Sequence, residues 1–410
     1  MPTIKKCRFC SSKNLELFLD LGFTALADAF IAAEDLKECE PRFPLKVMFC
    51  KNCGLSQLSY TVDPKLLYQK DYPYESSITK TGVSHYHNFA ESVSRDFSLD
   101  RKDLVVDVGS NIGTLLEGFK KTGTKILGVD PAKNIARAAN KRGIKTIGDF
   151  FTLELAQKVK NRFGQAKIIT ATNVFAHVYD HDQFMKAVKV LLAKDGCFIF
   201  ESPHLLNLIK NLEYDTIYHE HLLYLSLRPV IKYLEKFGME VFKVEEYSIH
   251  GGSIRVFIAN KNAYKKDPSL AKILEKEDRG EIYSLPALNI FAQRVKNHRK
   301  ELKFLIGKLK KQGKTVAVVS TPAKGMTLLN YCGITKEDVD FATEKSTLKI
   351  GRVTPGTYIP IFPDSELAKR RPDYALLLAW NFSKEIMSGL KEYKDNGGKF
   401  IIPIPKPKII

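Results

Sequence analysis

The chain has 410 residues and a formal charge of +18, from 64 Lys and Arg against 46 Asp and Glu, and that length exceeds what one hydrophobic core sustains, so two or three domains are expected. No run of about 18 apolar residues occurs, and the N-terminus MPTIKKCRFC lacks the apolar stretch of a secretory signal, which excludes a membrane-spanning or exported class and leaves a cytoplasmic protein as the expectation. The lysines are spread over segments such as KNHRKELK, GKLKKQGK and PKPKII, a distribution that suits a solvated surface or phosphorylated ligands by long-range attraction.

Residues 1–68 carry Cys7-x-x-Cys10 and Cys50-x-x-Cys53, separated by short alternating pieces such as PLKVMF. Each such turn presents two sulfurs on one side, and two turns bring four thiolates to one tetrahedral ion. A full sulfur shell leaves no open coordination position, so Cys7, Cys10, Cys50 and Cys53 are expected to hold a structural Zn2+ that braces the fold. Cys39, Cys197 and Cys332 lack partners at ligand spacing and read as ordinary buried thiols.

From Lys102 the pattern becomes an alternation of strands and helices, the signature of a mostly parallel sheet. DLVVDV, KILGVD, KIITATN and CFIFES read as strands buried on both faces. LLEGFKKTG, NIARAANKRG and HDQFMKAVKVLLAKDG read as helices between them, each closing at a glycine. A long basic helix near residues 288–312 precedes a second alternation with strands KTVAVVS, YALLLAW and KFIIPIP. The expected organisation is therefore an α/β multidomain chain with a zinc-binding module at 1–68, a central Rossmann-like domain at 69–245 and a C-terminal Rossmann-like α/β domain at 246–410.

Asp107-Val108-Gly109-Ser110-Asn111-Ile112-Gly113 follows the first buried strand and opens a helix. A dinucleotide fold shows G-x-G-x-x-G at this place, whereas here an acid precedes the first glycine. Asp107 suits a cationic amino-acid moiety, which S-adenosylmethionine (SAM) has. Asp130, after the second strand, suits ribose hydroxyls, and Asp149, after the third, the adenine amine. Three acids after three strands point to SAM, held by Asp107, Gly109, Gly113, Asp130, Asp149 and Asn173.

Just beyond CFIFES, Tyr218-His219-Glu220-His221 concentrates a base, a carboxylate and a phenol near the carboxyl edge of the sheet. With this segment the chain resembles the sugar C-methyltransferases that act at C-3' of nucleotide-linked 4-keto-6-deoxyhexoses. The resemblance spans nearly the whole chain: the cysteine pairs, DYPYESS at 71–77, the glycine turn, TNVFAH, IYHEH at 217–221, HGGSIRVF at 250–257 and IGRVTPGTYIPI at 350–361. It implies a zinc module, a central SAM-dependent methyltransferase domain, and a C-terminal domain that helps hold a nucleotide-diphosphate sugar. It also implies that Tyr72, His177, Tyr218, Glu220 and His221 occupy active-site positions. Imidazole titrates near neutral pH, so His221 is the expected base, with Glu220 orienting it or stabilising its charge. Tyr72, Tyr218 and His177 are expected to donate to the sugar oxygens or the enolate.

The turn Ser320-Thr-Pro-Ala-Lys324-Gly325 follows a strand and precedes a helix, where Lys324 and backbone N–H groups suit a phosphate. Lys324, His250 and Lys349 are the candidate substrate contacts. The chain departs from the family pattern in this turn and in Glu344–Lys349, both where nucleotide or sugar contacts are expected. A zinc-containing nucleic-acid methyltransferase competes with this reading, but Lys and Arg interleaved with aromatics are missing near the glycine turn. A nicotinamide dinucleotide on the C-terminal unit is opposed by the lack of spaced glycines in TPAKG. Transfer to oxygen in a nucleotide sugar stays open, because the same base serves it. Neither a membrane nor a nucleic-acid partner is expected, and a monomer is.

Overall fold

The computed structural model describes residues 3–68 and 79–410. Three sheets follow one another along the chain. In the N-terminal module β1 (Leu15–Thr24), β2 (Phe43–Cys50) and β3 (Ser56–Leu58) form an antiparallel meander. PLKVMF lies in β2, and its alternation puts Leu45, Val47 and Phe49 into the core.

The central sheet contains β4 (Leu104–Val108), β5 (Lys125–Val129), β6 (Thr146–Ile147), β7 (Ala166–Thr172) and β8 (Leu192–Pro203), all parallel. Their spatial order is β8-β7-β4-β5-β6, so the chain leaves β4 in one direction and returns to its other side with β7. This reversal opens a crevice beyond the carboxyl ends of β4 and β7. The helix expected to close at Gly196 ends at Leu191 instead, and Leu192 already begins β8. The segment LAKDG that looked like a helical end forms the start of the long strand.

The next strand, β9 (Leu223–Tyr224), does not join the central sheet. It pairs antiparallel with β3, so the N-terminal sheet is completed by a strand two residues beyond His221. The chain then returns with β10 (Met239–Tyr247) and β11 (Ser253–Asn260), which extend the central sheet antiparallel past β8. The boundary expected at 245/246 thus falls inside β10, and strand pairing carries the central sheet on to Asn260. Hydrophobicity alone does not reveal this, because an antiparallel return strand reads the same whichever sheet it joins.

A helix at Leu285–Lys311 leads to the third sheet, with β12 (Val316–Val319), β13 (Phe341–Glu344), β14 (Ile361–Pro363), β15 (Tyr374–Leu377) and β16 (Lys399–Ile402) parallel and β17 (Lys408–Ile409) antiparallel. The order β14-β13-β12-β15-β16-β17 again reverses at the first strand, now between β12 and β15. The fold is thus the expected one: a small cysteine-bearing module followed by two Rossmann-like α/β units. Among the described residues no helix is long and apolar enough to cross a membrane.

Candidate active site

The two reversal points face a common cavity of about 1180 Å³. Asp107, Gly109 and Asn173 line it from the central sheet, Ser320, Lys324 and Phe382 from the C-terminal sheet, and Asp28 from a loop of the N-terminal module. It exceeds the roughly 300–1,000 Å³ of a pocket for one drug-sized molecule and suits two substrates side by side.

At the central edge, Gly109 has φ +68, and a Cβ there would stand 2.3 Å from Val174 Cγ2, so only glycine fits the turn. Asp107 is buried and accepts from Thr170 Oγ1 at 2.7 Å. Burial, against that hydrogen bond and with the charge of Asp130 adding to it, pushes the Asp107 carboxyl up to about 7. Asp130 accepts from the backbone N–H of Asn111 at 2.8 Å and of Ala132 at 2.9 Å, one on each oxygen, and lines the same wall. Asn173, at φ +55, also lines it.

Two expected cofactor contacts fall elsewhere. Asp149 is exposed, accepts from its own neighbour's N–H at Phe150 (2.8 Å) and does not reach the cavity; Phe150 and Phe151 line it instead. Gly113 lies beneath Ile144, where it starts the helix Thr114–Lys121 at positive φ, and is not part of the wall.

The segment Tyr218–His221 meets the cavity through Tyr218 and His221. His221 Nδ1 lies 2.7 Å from the carbonyl oxygen of Thr216. A carbonyl only accepts, so Nδ1 carries the proton and Nε2 keeps its lone pair. Burial lowers the His221 imidazole to about 4, which leaves the ring neutral at physiological pH. Its ring lies against Tyr218 (centroids 4.0 Å apart) and His177 (4.8 Å), and His177 in turn faces Tyr68. His177 Nε2 is buried without a hydrogen-bond partner among the described residues. Tyr218, His177, His221 and His250 all line the cavity.

Glu220 lies away from the cavity wall. The Thr216 carbonyl orients His221, while Glu220 is fully buried. Burial first, and the neighbouring charge of Asp28 second, push its carboxyl up to about 8, so it is mainly protonated at neutral pH and adds no negative charge to the imidazole. Tyr72 and the segment 71–77 lie outside the described residues.

On the C-terminal side, Lys324 lines the cavity and its buried Nζ has no hydrogen-bond partner among the described residues. Lys349 Nζ donates to the Thr321 carbonyl at 2.8 Å, and Glu344 Oε2 accepts from both the N–H and Oγ1 of Thr321 (2.9 and 2.7 Å). The Thr321 donors of the turn are therefore taken by Glu344, while the Lys324 ammonium lies 3.9 Å from Asp215 Oδ2. His250 stands just before β11, beside the carboxyl end of β8, at φ +55 and edge-on to Phe382.

Away from the cavity, the sulfurs of Cys7, Cys10, Cys50 and Cys53 all lie within 4.8 Å of one another. Cys7–Cys53 and Cys10–Cys50 are 3.6 Å apart, against the about 3.8 Å that a tetrahedral shell with metal–sulfur bonds near 2.3 Å requires. Gln57 Nε2 and Asn52 Nδ2 donate to Cys7 and Cys10, as ligand thiolates need. The four residues fit a metal ion. Phe9, between the first pair, stacks on Tyr233 at 4.0 Å and ties the cluster to the central domain. Cys197 and Cys332 are buried as expected, whereas Cys39 is exposed on the loop before β2.

Reading the sequence alone misses Asp28 and Thr216, both of which line the cavity. No spacing marks Asp28 in ALADAF, and Thr216 acts through its backbone, which any residue offers.

The family description "C-methyltransferase C-terminal domain" matches residues 248–405, "Methyltransferase domain" matches 84–244 and "Putative zinc binding domain" matches 7–68. C-methyltransferase NovU of Streptomyces niveus is 37% identical over 408 residues, 99% of this chain and 97% of that protein. Among solved structures, a S-adenosylmethionine-dependent methyltransferase from Clostridium acetobutylicum is 15% identical, with 44% of this chain and 92% of that one covered, at a TM-score of 0.35. The magnesium protoporphyrin IX methyltransferase of Synechocystis with bound SAH is 13% identical, with 46% and 90% covered, at a TM-score of 0.35.

Proposed function

The chain belongs to the C-methyltransferase family, and from that premise we propose that it methylates C-3' of a nucleotide-linked 4-keto-6-deoxyhexose in branched-deoxysugar biosynthesis, with SAM as methyl donor. SAM, when bound, supplies a methyl group on a positively charged sulfur; Asp107, Gly109, Asp130 and Asn173 are the residues suited to hold it. The observation that carries the proposal is the 2.7 Å contact from His221 Nδ1 to the Thr216 carbonyl, which turns an imidazole lone pair to the floor of a two-substrate cavity.

A hydrogen next to a ketone is removable because the resulting anion spreads onto the carbonyl oxygen. His221 Nε2 takes that proton, and the ring becomes an imidazolium still anchored by its Nδ1–H. Burial makes the charged ring costly on its own, so the enolate forming beside it is the natural counter-charge. His177 and Tyr218, against the two sides of His221, donate to the enolate or to sugar oxygens. Tyr72 shares this task. Glu220, protonated and close to Asp28, supports the segment from beneath rather than the ring itself. The enolate carbon then accepts the methyl in line.

Lys324, His250 and Lys349 serve the nucleotide-sugar side. Cys7, Cys10, Cys50 and Cys53 hold a structural zinc, and the β3–β9 pairing passes that rigidity to the catalytic segment. The test is to incubate the protein with SAM and a panel of nucleotide-linked 4-keto-6-deoxyhexoses. One added methyl, located at C-3' by NMR, supports the proposal. Methyl transfer to a hydroxyl oxygen, or to no member of the panel, contradicts it.

A further inference from the structure

The short turn Tyr214–Thr216 leads into the catalytic segment, and three consecutive residues there are each held by a different group. Asp215, fully buried, accepts on Oδ2 from Trp380 Nε1 at 2.7 Å. Thr216 gives its carbonyl to His221 Nδ1. Ile217 gives its carbonyl to Thr327 Oγ1 at 2.9 Å. Trp380 follows β15, and Thr327 lies on the helix Ala323–Cys332 that follows β12. The C-terminal sheet therefore grips the turn on both sides of the carbonyl that sets the base.

Lys324 belongs to the same grip. Its Nζ stands 3.9 Å from Asp215 Oδ2 and 3.9 Å from the centre of the Trp380 ring. A buried ammonium and carboxylate ordinarily close to about 2.7–2.9 Å, because each is costly to leave without a hydrogen bond. Here they do not close: among the described residues Lys324 Nζ finds no acceptor and Asp215 Oδ1 no donor. Glu213 also acts on Lys324 when ionised, although burial pushes its own carboxyl up to about 7. Lys324 lines the cavity, but its ammonium is itself buried between Asp215 and the Trp380 ring, so an anion in the cavity meets its donors as the ammonium moves off Asp215.

Resting on the nucleotide-sugar reading above, we infer that Asp215 is a positioning residue that couples diphosphate recognition at Lys324 to the orientation of His221, through the Thr216 carbonyl. An anion at Nζ draws the ammonium off Asp215, whose hold on Trp380 then tightens, and the adjoining peptide carries the change to His221 Nδ1. The base is set fully only when the carrier's phosphates are in place.

The experiment uses full-length protein labelled with 15N-histidine and inorganic pyrophosphate, the part common to all nucleoside-diphosphate carriers. The His221 ring nitrogens are followed by NMR, assigned by their loss in His221→Gln, and binding is followed in parallel by calorimetry. In the unmodified protein the His221 signals are expected to move as pyrophosphate saturates. In Asp215→Asn pyrophosphate should still bind while most of that movement is lost, and Trp380→Phe gives the same result should Asp215→Asn fail to fold. Lys324→Met should bind pyrophosphate about tenfold more weakly, as for one lost charge-assisted contact. Equal movement of His221 in the unmodified protein and the folded variants overturns the coupling, as does no movement or no binding in the unmodified protein. Pyrophosphate coupling without methylation of any keto sugar would instead strike the substrate reading alone.

Discussion

Replacing Arg255 by Met tests whether the wall beneath the cavity is held by a buried ion pair. Arg255 is 1% exposed; its Nε and Nη2 donate to Glu201 Oε2 at 3.0 and 2.8 Å, and its Nη1 donates to Tyr247 Oη at 2.8 Å. The guanidinium carbon also lies 3.5 Å above the centre of the Phe89 ring. Burial pushes the Glu201 carboxyl up, but the hydrogen bond with His85 and the charge of Arg255 more than offset this and hold it below the ordinary value. The pair's stabilisation is therefore full above the ordinary carboxylate range and is lost as pH falls through the lowered value. Removing one partner strands a buried charge, which costs about 3–5 kcal/mol. Unfolding of the central domain should then shift down by roughly 6–20 °C near pH 7, on the scaling for a unit of 150–250 residues. Scanning calorimetry or thermal circular dichroism measures it. The double variant Glu201→Gln with Arg255→Met should regain at least half the loss, since no buried charge is stranded. A single variant within about 1 kcal/mol of the parent protein would refute the reasoning.

Other consequences follow from the same geometry. Because burial lowers His221 to about 4, the acid limb of kcat/KM should lie near pH 4–5, with the ring neutral and active above it; a limb at the ordinary histidine value near 6.5 would show that the free enzyme's base is not buried as described. Asp130→Ala should raise the KM for SAM by about 10–100-fold, as for loss of a hydrogen-bonded charged contact, while the acceptor KM stays put in steady-state kinetics. Equal effects on both would mean that Asp130 supports the whole cavity. Chelation of the metal, or Cys50→Ser, should release one zinc per chain by colorimetric titration and expose the segment around β9 to protease. Protease resistance equal to that of the metal-loaded protein would separate the cysteine cluster from the catalytic segment.

Much of the architecture was legible because it rests on strong local signals. Buried apolar runs such as DLVVDV and KTVAVVS can only be interior strands, and two CxxC pairs announce their own convergence. The glycine turn was legible because it sits at a strand end, where parallel-sheet topology already directs ligands, and IYHEH because it concentrates His, Glu and Tyr in a few residues. What escaped was long-range pairing. Nothing local tells β9 to leave the central sheet for β3, nor β10 and β11 to stay with it beyond residue 245. The site shows the same division. His177, Tyr218 and His221 meet as expected, but the orienting group is a backbone carbonyl at Thr216, and a backbone atom leaves no mark in a sequence. Asp149 lies outside the cavity wall, since a strand-end acid serves equally well to satisfy its own loop. Asp28 comes from a module read only for its cysteines.

Whether His221 removes the proton next to the keto group is answered by solvent exchange in the absence of methyl transfer. The protein, S-adenosylhomocysteine and a nucleotide-linked 4-keto-6-deoxyhexose are incubated in deuterated water, and loss of the C-3' proton is followed by NMR. The parent protein should exchange that proton, and His221→Gln should do so about 10²–10⁴-fold more slowly with the ligands still bound. Undiminished exchange in His221→Gln would contradict that role and move the base elsewhere in the cavity.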